Sequence, residues 1–250
     1  MKGRIEGKTV PVVGILGWDK KSNDTLAQLE SIPGNISHPD TFSFPVMYKE
    51  VPGACYQTVV VNPDKGVQDA MIKSARMLEE AGVHAIMGNC GFDALFQKDL
   101  AEAVRVPVFT SSLLLVPLVY RMFAKARNIG IITADKPFLT KEHLQAVGIT
   151  DEIPIRISGL DKTEEFQKIR SDINATLDVE KLEKEVLHLA EELVREPTQI
   201  VAIVLECTDL PPFAAAIRKS TGVPVFDIVT LAYMVYEAIS GNRWSYSPIE

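Results

Sequence analysis

The chain has 250 residues, 46% hydrophobic and 24% charged, with a formal charge of −7 and no biased tract, which excludes disorder and leaves room for one large domain or two small ones. Its basic residues form no run long enough to make a phosphate-binding stripe, so nucleic acid is not an expected partner. The longest apolar run, Leu113 to Val119, contains Pro117 and falls far short of the roughly 20 residues of a membrane-spanning helix.

In chain order, the basic start at Lys2, Arg4 and Lys8 leads into a short strand-like run and not into a signal peptide. Strands are expected at Val10 to Leu16, Tyr56 to Val61, Ala85 to Gly88 and Val106 to Phe109, then at Ile129 to Ile132, Ile153 to Ile157, Ile200 to Leu205 and Val223 to Phe226. Between them the apolar spacing predicts helices near 65–82, 92–104, 113–125, 138–147, 178–195, 211–220 and 229–240. The charged stretch Ser158 to Asp178 reads as a surface insertion carrying its own helix, Thr163 to Ser171. Alternating strands and helices, with several strands apolar throughout, predict an α/β fold with parallel sheets covered on both faces.

One unit occurs twice. A strand runs into Gly88-Asn89-Cys90-Gly91-Phe92, then a helix, then Val106-Pro107-Val108-Phe109; a second strand runs into Leu205-Glu206-Cys207-Thr208-Asp209, then a helix, then Val223-Pro224-Val225-Phe226. The spacing from cysteine to the first valine is the same, 106 − 90 = 16 and 223 − 207 = 16. Upstream, Gly14-Ile15-Leu16 and Gly130-Ile131-Ile132 stand at nearly equal offsets, 90 − 14 = 76 and 207 − 130 = 77. Two copies of one unit imply pseudo-symmetric halves whose equivalent strand ends meet at a shared cleft, and ligands of parallel sheets bind beyond those ends. Both Cys90 and Cys207 sit there.

A thiol on each side of a substrate is what cofactor-independent racemisation needs, one group removing a proton from an activated carbon while the other returns it on the opposite face. Each cysteine directly precedes an expected helix, whose unpaired N–H groups would favour the thiolate. Cys55 has no counterpart in the repeat and is taken as incidental. Three widely spaced cysteines make neither a zinc pattern nor a disulfide framework, which fits a reducing, cytoplasmic location. His38, His84, His143 and His188 show no metal-ligand spacing.

These residues resemble the aspartate/glutamate racemase superfamily, which also contains hydantoin racemases, maleate isomerases and arylmalonate decarboxylases. The resemblance covers essentially the whole chain. It implies two flavodoxin-like halves, no metal, no pyridoxal phosphate or other cofactor, catalytic thiols at Cys90 and Cys207, a final helix that returns to the first half, and a homodimer. Asp19 occupies about the place after the first strand where family members put an acid or small polar residue; its alternative is a solvated turn with Lys20 and Lys21. Thr208 matches the family pattern as a carboxylate holder or a helix N-cap. Asp209 stands where glutamate racemases carry His, and Gly91-Phe92 stands where amino-acid racemases have Asn-Thr, which removes a hydroxyl that Asn89 replaces in part. A hydantoin or an aryl-substituted acid fits that more apolar pocket.

Substrate binding is accordingly expected at Asn89, Gly91, Thr208, Ser111 and Asp19, with Ser111 alternatively capping the helix that follows Thr110-Ser111-Ser112. Trp18, Tyr48, Tyr56 and Phe92 are candidates for the cleft lining or the core. The expected lobes are residues 1–110 plus 227–250, and 111–226, closing as rigid bodies on a small carboxylate or hydantoin. The expected activity is that of a racemase or epimerase. Its rivals are a maleate-type isomerase or decarboxylase of the same superfamily, and, outside enzymes, a two-lobed binding protein whose thiols would be unreactive.

Overall fold

A computed structural model describes residues 4–5, 8–19, 23–123, 127–195 and 199–241. The final two residues of the helix expected at 113–125, and residues 242–250 of the first expected lobe, lie outside them. A short antiparallel pair, β1 (Arg4–Ile5) and β2 (Lys8–Thr9), precedes the main body. The first sheet comprises β3 (Val13–Trp18), β4 (Val46–Val51), β5 (Ala85–Gly88) and β6 (Val108–Phe109). The second comprises β7 (Asn128–Thr133), β8 (Ile155–Gly159), β9 (Ile200–Leu205) and β10 (Val225–Phe226). Every pairing within them is parallel, and the orders β4-β3-β5-β6 and β8-β7-β9-β10 are the same order traced twice. It is the 2-1-3-4 order of a flavodoxin-like sheet, whose switch point lies between the first and third strands.

Helices α1 (Asp24–Glu30), α2 (Lys65–Glu80) and α3 (Gln97–Ala103) join the first set of strands. Helices α4 (Leu115–Met122), α5 (Lys141–Ala146), α6 (Glu164–Ser171), α7 (Val179–Arg195), α8 (Ala214–Thr221) and α9 (Ile228–Ser240) follow. Among the described residues, no helix is long and apolar enough to cross a membrane.

The repeat has a packing cause. In α2 the buried stripe is Val67, Met71, Ala75 and Leu78; in α7 it is Leu182, Val186, Ala190 and Leu193, with identical steps along the helix. Each helix presses its last stripe leucine on a glycine of the central strand. A Cβ on Gly14 would stand 2.9 Å from Leu78 Cδ1, and one on Gly130 would stand 2.7 Å from Leu193 Cδ2. Glycine at both places is therefore a condition for close helix-on-sheet packing. Adjacent residues of β7 face opposite layers, Ile131 towards the core of the first sheet and Ile132 towards that of α7 and α8, and both are fully buried. Helix α9 packs on the first sheet's side, with Tyr236 stacked on Phe44 at 4.1 Å and the Tyr233 hydroxyl donating to Thr41 O.

One local expectation changes, and two elements are unforeseen. Tyr56 to Val61 is a π-helical segment and not a strand, with Asn62 N–H reaching back to Gln57 O at 2.9 Å. Val59 and Val60 within it are both buried. The second strand of the sheet is instead Val46–Val51, an edge strand whose Met47, Tyr48 and Glu50 are exposed. Helix α1 is short, and contacts from the other half hold it: Thr25 Oγ1 donates to Asp172 O at 2.6 Å and Asn23 Nδ2 to Ile169 O at 3.1 Å.

Candidate functional site

The two switch points face each other across a cavity of about 210 Å³. The first sheet contributes Trp18 from the end of β3 and Asn89, Cys90, Gly91 and Phe92 from beyond β5; the second contributes Ala134 and Asp135 from beyond β7 and Glu206 to Asp209 from beyond β9. Helices α1 and α6 close the opening with Asn23, Leu26 and Glu30 on one side and Phe166, Ile169 and Arg170 on the other.

Cys90 is extended, φ −139° and ψ 135°, and opens a 3-10 turn, Gly91–Phe96, before α3 begins. Asp93 caps that turn, its Oδ2 accepting Cys90 N–H at 3.2 Å. Cys207 is followed by a turn and a second 3-10 segment, Pro211–Phe213, so α8 starts only at Ala214. Neither thiol stands directly at an α-helix N-terminus, contrary to expectation. Burial pushes both thiols well above their ordinary range, and carboxyls add to it: Asp93 and Glu206 at Cys90, Asp209 and Glu206 at Cys207. The two sulfurs also act on each other, the Cys207 charge raising Cys90.

Thr208 ties the loops together, its hydroxyl donating to Asn89 O at 2.5 Å. Its hydroxyl hydrogen is thus committed to the first half. The Cys207 thiol points to Asp209 Oδ2 at 3.9 Å, and Asp209 Oδ1 accepts from Asn35 Nδ2 at 2.9 Å. Burial raises Asp209 to about 6 and Glu206 to about 7.

Of the expected binding residues, Asn89, Gly91 and Thr208 line the cavity with both thiols, whereas Asp19 and Ser111 do not. Asp19 is turned towards the loop after β4, its Oδ2 3.4 Å from Gly53 N–H. Ser111 caps a 3-10 turn, its Oγ accepting Leu113 N–H at 3.2 Å, and is fully buried. Trp18, Tyr56 and Phe92 belong to the lining, while Tyr48 stays on the edge strand and bonds Ile36 O.

Arg170 and Asp135 are unforeseen parts of the site. Arg170 holds Asp135 Oδ2 at 2.7 Å and donates to Ala134 O at 2.6 Å, its guanidinium lying 5.2 Å from the Tyr56 ring centre and 5.3 Å from that of Phe166. Tyr56 donates to the same Asp135 oxygen at 2.5 Å, and burial pushes its hydroxyl up to about 12. The spacing Phe166, Ile169, Arg170 marks one face of α6 and was the available signal. Among the described residues no three His, Cys, Asp or Glu side chains are grouped to hold a metal ion.

Among the described residues the wall is unbalanced in charge: Glu30, Asp135, Glu206 and Asp209 are acidic, and Arg170 is the one Lys or Arg lining the cavity. Among the same residues, three buried polar atoms of the lining have no partner, Trp18 Nε1, Asn89 Oδ1 and Glu206 Oε1. Such a site can take a small molecule with an anionic end and a cationic one, and move a proton at the carbon between the thiols.

The sequence profile of the family described as Asp/Glu/Hydantoin racemase matches residues 44–234. A dimethylsulfoniopropionate lyase of Durusdinium sp. clade D is 32% identical over 209 residues, 80% of this chain and 68% of that one. Dimethylsulfoniopropionate lyase 6 of Emiliania huxleyi (strain CCMP1516) is 30% identical over 219 residues, 84% of this chain and 56% of its own length. The chain thus spans between about half and two thirds of these relatives. In solved structures the fold recurs in allantoin racemase of Pseudomonas fluorescens, with TM-score 0.59 and 18% identity over 96% of this chain and 94% of that one. It recurs also in arylmalonate decarboxylase, with TM-score 0.55 and 15% identity over 95% and 96% of the two chains.

Proposed function

The chain belongs to the Asp/Glu/Hydantoin racemase family, and we propose that within it the protein is a lyase of a β-sulfonio carboxylate, the class to which dimethylsulfoniopropionate belongs. The carrying observation is a cavity with one thiol from each half and walls that are aromatic and acidic. An onium cation is attracted to the faces of Trp18, Tyr56 and Phe166, and it relieves the crowding of negative charge.

The chemistry keeps the first half of a racemase reaction. A thiolate takes the proton from the carbon next to the carboxylate. The electron pair of that C–H bond forms the C=C bond, the bond from the β-carbon to the sulfonium sulfur breaks, and its pair leaves with neutral dimethyl sulfide. Acrylate remains, and the abstracted proton stays on the enzyme's sulfur until solvent takes it. A racemase would use its second thiol to return the proton; here departure of the leaving group ends the carbanion's life first.

The cationic substrate also contributes to its own activation. Burial and neighbouring carboxyls push both thiols up, and a fixed positive charge beside them favours the thiolate. Thiolate then forms mainly in the complex, where it is used.

Incubating the protein with dimethylsulfoniopropionate in deuterated water, with headspace detection of dimethyl sulfide and NMR of acrylate, tests the reading. Release of both products in equal amounts is expected. No release, together with deuterium entering the α-position of an amino acid or hydantoin and loss of its optical rotation, would return the protein to the racemases.

A further inference from the structure

Glu206 is a cavity acid of the second half whose side chain reaches the Cys90 loop of the first. It continues β9, its N–H donating to Ile132 O at 2.8 Å, and its side chain is fully buried. Thr133 Oγ1 and Ala134 N–H both donate to Oε2, at 2.7 and 3.3 Å. Oε1 is buried without a partner and rests against the Cys90 loop, in the space that a Cβ on Gly91 would fill. Glycine follows the first cysteine because the carboxyl and the backbone carbonyl of Glu206 together occupy that room.

Two donors on one oxygen mark it as the acceptor and leave the proton to the other. An ionised Oε1 with no donor in reach carries the full cost of a buried charge, whereas a neutral acid presents an O–H at the cavity wall beside the Cys90 loop. We infer that Glu206 acts as a neutral carboxylic acid, a catalytic residue that donates Oε1–H to the carboxylate of a substrate held between the two thiols. This rests on the lyase reading for the identity of that substrate. When the thiolate takes the α-proton, the C–H electron pair spreads on to the carboxylate and strengthens the hydrogen bond from Glu206. When the C–S bond breaks, the charge leaves the carboxylate again and Glu206 keeps its proton. A donor that tightens only as charge develops lowers the barrier and leaves binding nearly unchanged.

The surroundings hold the proton in place. Burial, then the charges of Asp135 beyond β7 and Asp209 beyond β9, raise Glu206 to about 7 against the donors Thr133 and Ala134. Among the described residues, Asp93 and Cys90 beyond β5 and Cys207 beside it are the other titratable groups facing it, and Arg170 of α6 is the cation of the cavity wall.

The test is the pH dependence of dimethyl sulfide release by the full chain between about pH 5 and pH 9, compared with Glu206→Gln. In the wild type kcat falls as pH rises past about 7, where Glu206 ionises. Glutamine keeps the shape and offers a weaker N–H, so kcat at acidic pH drops about tenfold, KM changes by less than about twofold, and the descending limb disappears. An unchanged limb in Glu206→Gln, or an unchanged kcat, would overturn the assignment. Should that variant not fold, Thr133→Val removes a donor from Oε2 and moves the limb to higher pH. A readout without substrate separates the two proposals: the infrared difference between wild type and Glu206→Gln near pH 6 contains the carbonyl band of a protonated carboxyl, lost near pH 9. Its absence sinks the inference whatever the activity. Its presence in a protein that releases no dimethyl sulfide supports the neutral acid and rejects the lyase reading.

Discussion

The two halves share a strand order, a helix-packing glycine in the central strand and a thiol beyond the third strand, and they part company at the residues beside that thiol. Around Cys90 stand Asn89 and Gly91; around Cys207 stand Glu206 and Thr208. The first half contributes the smallest residue at the place where the second half inserts an acid, and the second half returns a hydroxyl to the first half's backbone at Asn89. Duplicated architecture thus supplies matched thiols, while the flanking residues interlock. Symmetry places the groups, and its local failure gives them unequal surroundings.

The largest expected effect addresses the thiols. Of Cys90→Ala and Cys207→Ala, the one that removes the base should lower kcat for dimethyl sulfide release by about 10³-fold, and the other should lower it less. A variant that loses release yet still exchanges the substrate's α-proton with deuterated water would show that the remaining thiol is the base. Equal, complete loss of both signals would leave the halves chemically equivalent.

The interlock comes next. Gly91→Ala drives a methyl group into the carboxyl and backbone carbonyl of Glu206, and should cost about 3 kcal/mol in denaturant unfolding. The same change combined with Glu206→Ala should cost less than the two single changes added together, since the carboxyl half of the obstruction is then gone. Strict additivity would separate the loops energetically and break the comparison.

Acidity of the second half sets a pH trend. Glu206 at about 7 and Asp209 at about 6 are raised above their unfolded values, so the native state keeps protons that the unfolded chain has lost. Stability contributed by these protons is full below the unfolded values and falls as pH rises through the folded ones, by on the order of 3 kcal/mol for each group. Thermal unfolding should therefore occur at a lower temperature at pH 8 than at pH 5. Asp209→Asn should flatten the curve up to about pH 6 and Glu206→Gln up to about pH 7.

The smallest effect compares the paired glycines. Gly14→Ala meets only Leu78 and Val83 side chains, the nearest at 2.9 Å, whereas Gly130→Ala meets Leu193 at 2.7 Å with Ile200 and Ile203 close behind. Both should destabilise by about 1 to 3 kcal/mol, with Gly130→Ala the worse of the two. Urea unfolding of the two variants ranks them directly.

The repeat made most of this legible beforehand. Spacing alone placed Cys90 and Cys207 at equivalent strand ends, and the apolar runs located the four strands of the second sheet to within a few residues. What escaped was held by long-range contacts. Val46–Val51 is an edge strand whose outward residues carry no core pattern, and the valines of Tyr56–Val61 imitate a strand while winding as a π-helix. Arg170 lies in a stretch whose charge reads as surface, and only the fold reveals that its guanidinium turns inward to Asp135 between two aromatic rings. Helices expected directly after the thiols suggested lowered pKa values, but burial and three carboxyls outweigh that.

The contact between Gly91 and Glu206 bears also on history. A side chain at 91 would meet the backbone carbonyl of residue 206 as well as its carboxyl, so the two positions do not constrain each other equally. While 91 is glycine, residue 206 is free to exchange its side chain in a single tolerated substitution. No exchange at 206 removes the carbonyl, and so none frees residue 91 to leave glycine.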